Sequence, residues 1–115
     1  MSKTPSIANL NPLLDVMELI YDVYPSMTVQ QIRVLLLIAA NPGISQKEIM
    51  DTMGDIADSS VSRIVSILGA YGSRGTAPMY LVEVRIHPTN RKSKALHLTK
   101  AGDALIQKLL RALKP

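Results

Sequence analysis

Apolar residues recur at helical spacing through most of the chain and switch to strict alternation only near the C-terminal third. Leu13, Leu14, Met17, Ile20, Tyr21 and Tyr24 fall on one face of a helix opened by Asn11-Pro12 and ended by Pro25, because Asn can cap and Pro is tolerated in a first turn. Thr28 is read as the cap of a second helix running to about Ala40, with Ile32, Leu35, Leu36 and Ala39 on one face. Its second half is apolar nearly all round, which marks a central helix. Ser45-Gln46-Lys47-Glu48 has capping-box spacing and starts a short helix, Ile49 and Met53 inward, stopped by Gly54. Asp58 is expected to cap the next helix, Ser59 to about Ala70. There Val61, Ile64, Val65 and Leu68 form the inward stripe, and Ser59, Ser62, Arg63 and Ser66 the opposite face. Gly69 to Met79, with three Gly and one Pro, reads as a loop. Leu81 to His87 and Leu96 to Leu98 then alternate about a polar turn, Pro88 to Ser93, which predicts a β-hairpin. Matching buried face to buried face pairs Ile86 with Leu96 and Val84 with Leu98. That register places Arg85 opposite His97 and Arg91 at the tip, with Lys92 and Lys94 beside it. Thr99 is read as the cap of a last helix reaching about Leu113.

The order helix, helix, short helix, helix, hairpin, helix predicts a mainly α fold with a small β-hairpin wing: a winged helix-turn-helix. At 115 residues the chain has room for one domain, residues 1–115. The stripe Leu105, Ile106, Leu109, Leu110 and Leu113, together with Leu13, Leu14, Met17, Ile20 and Tyr21 of the first helix, is wider than one small domain needs. The terminal helices are therefore read as dimerisation elements of a two-fold dimer, against the alternative that both pack inside their own chain.

Charge sharpens this picture. Residues 1–60 carry three basic against seven acidic side chains, net −4, and residues 61–115 carry ten against two, net +8. A basic half following an acidic one suggests a polyanionic partner. The hydroxyls of Ser59, Ser60, Ser62 and Ser66 let a helix approach phosphates and base edges closely, and a helix N-terminus itself attracts phosphate. Arg63 is the long donor able to make a bidentate contact to guanine, or else to clamp a phosphate. Arg91 can enter a narrow minor groove. Lys92 and Lys94 hold phosphates, and Arg74, Arg85 and Asn90 complete the candidate contact set.

Other function classes are poorly supplied. There is no Cys, which removes disulfides, thiol nucleophiles and cysteine metal sites. The longest apolar run, Val34 to Ala40, has seven residues, where a membrane span needs about twenty. The N-terminus lacks an apolar signal core, so a cytoplasmic location is expected. His87 and His97 have no third ligand in view and are read as solvated, with no metal and no cofactor. Neither a catalytic triad nor a phosphate loop is present, so an enzyme is not expected. Tyr21, Tyr24, Tyr71 and Tyr80 are the only large aromatics, and nothing indicates a small-molecule effector.

The stretch HPTNRKSKALHLTKAG resembles the wing and following helix start of the MarR-type winged-helix regulators, with Pro88, Arg91, Leu98, Thr99 and Gly102 on the family's pattern without a gap. Leu81-Val82-Glu83 is similar to its Leu-Val strand opening. Ser45 to Leu68 is similar to its helix-turn-helix, including Ser60-Val61-Ser62-Arg63. The resemblance covers about residues 28–112. It implies a homodimeric transcriptional regulator with Arg91 the wing residue that enters the minor groove. A dimer presents two recognition helices about one DNA turn apart and so favours a palindromic site on double-stranded DNA. Asn90 and Lys92 stand where the family has Asp and Arg, Val84 where a basic residue is common. The loop Gly69 to Met79 exceeds the family's short link, and one helix follows the wing where full-length relatives have two. Two other roles remain open to a winged helix: an accessory DNA-binding protein of replication or partition, and a protein-docking unit.

Overall fold

The structure, a computed structural model, describes residues 6–86, 89 and 94–114. In chain order the elements are α1 (Asn11–Val23), α2 (Val29–Ala40), α3 (Gln46–Met53), α4 (Asp58–Leu68), β1 (Val82–Ile86), β2 (Lys94–Leu98) and α5 (Lys100–Leu113), with a 3₁₀ turn, Ile7–Leu10, before α1. The chain divides into two compact units, residues 28–103 and the described part of residues 1–27 with 104–115.

Within residues 28–103, local chemistry starts two helices. The Gln31 amide donates to Thr28 Oγ1 at 3.1 Å and the Thr28 amide to Gln31 Oε1 at 3.0 Å, a reciprocal capping box. Ser45 and Glu48 repeat it at the start of α3, both bonds at 3.1 Å. Gly54 closes α3 in the left-handed region, φ +74°, where a side chain would strain the backbone. Helix α4 departs from expectation at both ends. Ala57, not Asp58, holds the cap position; no side chain bonds there, Asp58 already lies in the first turn, and the helix stops at Leu68.

The inward face of α2 also differs from the reading of Ile32, Leu35, Leu36 and Ala39. Gln31, Val34, Leu35 and Ile38 are buried, whereas Leu36 is exposed. The stripe begins on a polar residue whose amide oxygen is already engaged by the cap, so its burial leaves no unpaired acceptor. Helix α4 packs on α2 and α3, and β2 on α2. Leu35, Ile38, Ile49, Leu68, Leu81 and Leu96 are fully buried, as are Val34 and Val61.

Strands β1 and β2 are antiparallel, with Val82 opposite Leu98, Glu83 opposite His97, Val84 opposite Leu96, Arg85 opposite Ala95 and Ile86 opposite Lys94. The expected register is therefore shifted by two residues, and Arg85 does not face His97. Bonds at the base set the observed one. The Thr99 amide donates to the Leu81 carbonyl at 2.9 Å, and on the far side of β2 the Leu96 amide donates to Ile44 O at 3.0 Å while Leu96 O accepts from Gly43 N at 2.8 Å. Thr99 Oγ1 caps α5, accepting from Gly102 N at 3.0 Å, and donates to Tyr80 O at 2.7 Å. Gly102 lies so close beneath β1 that a Cβ there would collide with the Leu81 carbonyl.

The stretch from Gly69 to Met79 is a tethered cap on α4. Gly72 N donates to Ser66 O, Met79 N to Ile67 O and Leu81 N to Leu68 O, each at 2.8 Å, and Tyr80 N to Gly69 O at 2.9 Å. The carbonyls that a helix end leaves without partners are thereby satisfied. At its tip Ser73 and Thr76 exchange two backbone bonds about Arg74-Gly75.

In the other unit, α1 has Pro12 in its first turn. Leu10 occupies the cap position without a side-chain bond, and Asn11 is already helical rather than capping. Ile20, Leu105, Ile106 and Leu109 are buried, whereas Leu13, Leu14, Met17, Tyr21, Leu110 and Leu113 are exposed. Among the described residues no helix is long and apolar enough to cross a membrane.

Candidate nucleic-acid interface

The exposed side of α4 is a ridge between two grooves. Ser59, Ser62 and Arg63 are exposed on it, and Ser60 and Ser66 are half-buried along its shoulders. On one side a groove of about 350 Å³ is lined by Ser60 and Arg63, by Asp55 and Ala57 of the turn between α3 and α4, and by Thr28 and Gln30 at the start of α2. On the other, a groove of about 370 Å³ is lined by Ser62 and Ser66, by Val84 and Lys94 of the hairpin, by Tyr71 and Tyr80, and by Gln46. The fold thus brings Ser62, Ser66 and Lys94 to one groove and Ser60 and Arg63 to the other. Ser59, Arg74 and Arg85 line neither.

An ion pair braces the turn that leads into the ridge. The Arg33 guanidinium of α2 donates to both carboxylate oxygens of Asp55 at 3.4 Å, and Nη1 also to Gln30 Oε1 at 2.7 Å. Both charged groups are largely exposed, so the pair orients the turn more than it stabilises it. Asp58 in the first turn means that a carboxylate shares the N-terminal end of α4 with the serine hydroxyls.

On the hairpin, Lys94 is exposed at the start of β2. Arg85 donates to Glu83 Oε1 at 3.0 Å, so its charge is matched by a neighbour on its own strand. Arg74 stands exposed at the tip of the tethered cap. Asn90, Arg91, Lys92 and His87 lie outside the described residues, and with them the expected tip of the wing. Among the described residues there is no group of three or more metal-ligating side chains.

Tyr71 and Tyr80 are the groove residues that the sequence pattern does not place. Tyr80 has φ +56°, the one non-glycine residue described with positive φ. For a bulky side chain this costs roughly 1–3 kcal/mol, which the surrounding structure must offset. Its amide and carbonyl are both held, by Gly69 O and Thr99 Oγ1. The only signal in the sequence is that Tyr71 lies inside, and Tyr80 just after, a Gly-rich loop in a chain with few aromatics.

No protein-family model and no curated protein sequence matches the chain. Solved structures do. The transcriptional repressor CouR, in a structure bound to a 23-mer DNA duplex, is 30% identical over 92% of this chain and 67% of its own, with a TM-score of 0.63. MarR is 24% identical over 88% of this chain and 69% of its own, TM-score 0.60. RV1404 from Mycobacterium tuberculosis is 21% identical over 92% and 66%, TM-score 0.70. The last two likenesses are of fold, and the chain spans about two thirds of the length of each of the three. With the identity to CouR running across nearly the whole chain and the fold shared with MarR itself, this protein belongs to the MarR family of winged-helix transcriptional regulators.

Proposed function

We propose that the chain is a homodimeric regulator that binds double-stranded DNA in a sequence-specific way, with α4 in the major groove and the hairpin tip in the adjacent minor groove. The observation that carries this is the α4 ridge: hydroxyls and one guanidinium exposed along a helix whose opposite side is fully committed to the core. CouR's duplex-bound structure, the relative at 30% identity, supports DNA as the ligand. Ser59, Ser60, Ser62 and Ser66 give close approach, and Arg63 reads a base edge or clamps a phosphate. Lys94, Lys92 and Arg74 neutralise phosphates, and Arg91, beside Asn90, enters the minor groove. Arg85 contributes less because Glu83 already engages it.

Six exposed apolar residues support the dimer: Leu13, Leu14, Met17, Tyr21, Leu110 and Leu113. Their burial against a second copy removes from water a surface that a monomer rarely exposes. Ile20, Leu105, Ile106 and Leu109 are buried within the chain and are not part of that surface. A two-fold pair presents two α4 helices about one DNA turn apart and so favours a palindrome. The relatives are regulators, which supports a non-enzymatic role, and the Cys-free chain cannot sense oxidants through a thiol.

Fluorescence anisotropy on a cognate duplex tests this reading. Arg63→Ala is expected to weaken binding by about 1–3 kcal/mol and to change base preference. Arg91→Ala weakens binding to all A·T-flanked sites alike. Duplex affinity unchanged in both variants contradicts the proposed mode.

A further inference from the structure

We infer that the groove between α4 and the hairpin seats one phosphodiester strand of the bound duplex, with Tyr71 and Tyr80 as contacts to it. This rests on the DNA-binding reading above and adds residues that neither the family signature nor the charge pattern supplies. Three observations converge on it. First, the groove continues the proposed DNA face, since Ser62 and Ser66 form one wall and Lys94 stands on the other. A strand passing from the major groove at α4 to the minor groove at the hairpin tip crosses this gap. Second, the polar part of the lining, which stands beside Val65, Ala70, Val82 and Val84, suits a phosphate backbone. The side chains of Ser62, Ser66, Tyr71, Tyr80 and Gln46 can donate neutral hydrogen bonds, and Lys94 adds a charge, while the one carboxylate there, Glu83, is engaged by Arg85 at 3.0 Å.

Third, core packing does not account for the two tyrosines. Tyr71 is 88% exposed and Tyr80 59% exposed, so neither ring belongs to the core. Tyr80 sits at a φ that glycine adopts freely, and its backbone is held by two bonds that any residue could make. The segment that carries both residues is bonded through Gly72, Met79 and Leu81 to the last carbonyls of α4, which places its backbone beside Ser66. The longer link of this chain thus extends the contact surface.

A salt series of anisotropy titrations on a duplex enriched from a random pool by the wild-type protein, paired with thermal melts, tests the proposal. The double variant Tyr71→Phe/Tyr80→Phe is expected to bind about tenfold more weakly at fixed salt. The slope of log affinity against log salt stays unchanged, because neutral hydroxyls release no counterions, whereas Lys94→Ala lowers that slope by about 0.9. Tyr80→Gly is expected to melt at or above the wild-type temperature and still lose affinity. Wild-type affinity in the double Phe variant overturns the proposal, as does a Tyr80→Gly protein that melts lower and binds normally. A wild-type chain that binds no duplex at all fails the underlying functional reading instead, before the tyrosines are reached.

Discussion

The two strands of the hairpin are built on opposite principles. In β2, Ala95 and Leu96 are buried, and Leu96 is bonded on its far side to Ile44. In β1 only Val82 is buried; Val84 and Ile86, though apolar and in alternation, are 47% and 71% exposed, Val84 opposite the fully buried Leu96 and Ile86 opposite Lys94. Apolar alternation therefore has two outcomes across one ladder. Burial follows what lies beneath the strand, and β2 packs on α2. The outer end of β1 is free of the core, so its side chains are available for chemistry. Helix α4 shows the contrast across its width instead of along its length, with Val61, Ile64, Val65 and Leu68 inside and Ser59, Ser62 and Arg63 outside.

Substitutions on and beside the two strands test that contrast. Leu96→Ala empties a fully buried site and is expected to destabilise the fold by about 2–5 kcal/mol, read by denaturant titration. Thr99→Ala removes both the α5 cap and the bond to Tyr80 O. It is expected to cost about 1–2 kcal/mol and to loosen the tethered segment, visible as faster amide exchange at Tyr80 and Leu81. Ile86→Ser, at the outer end, should change stability by no more than about 0.5 kcal/mol. A cost there comparable with that of Leu96→Ala would mean that the outer end is packed after all, and the contrast would fail.

Much of the helical frame was legible because its signals are local. Thr28 with Gln31 and Ser45 with Glu48 are reciprocal caps four residues long, and the sequence displays both halves. Gly54 declares its own left-handed turn. The buried side of α4 follows from spacing alone. What sequence reasoning missed depends on partners far along the chain. A shift of one residue in a hairpin would have turned every side chain over, but a shift of two keeps each residue on its face, so alternation cannot distinguish Val84 opposite Leu98 from Val84 opposite Leu96. Leu81 with Thr99 and Ile44 with Leu96 decide it. The α2 stripe was misplaced by a polar first member, Gln31, whose burial is licensed by a bond to the cap. Asp58 and Ala57 compete for one cap position, and composition alone favours the wrong one.

For the candidate site, the residue types of the α4 ridge could be read directly, because an amphipathic helix exposes whatever is not in its stripe. The second groove could not. It is assembled from Gln46, α4, the tethered cap, the hairpin and Thr99, groups far apart along the chain. A loop reading of residues 69–79 is silent on the amides of Gly72, Met79 and Leu81 that dock the stretch onto α4.

Selection of bound duplexes from a random pool asks whether the α4 ridge reads a two-fold DNA sequence. The expected outcome is enrichment of a palindrome with half-sites about 10 bp apart, and a changed half-site when the selection is repeated with Arg63→Ala. A pool that enriches no sequence, or the same half-site from both proteins, would show that the ridge does not read the bases.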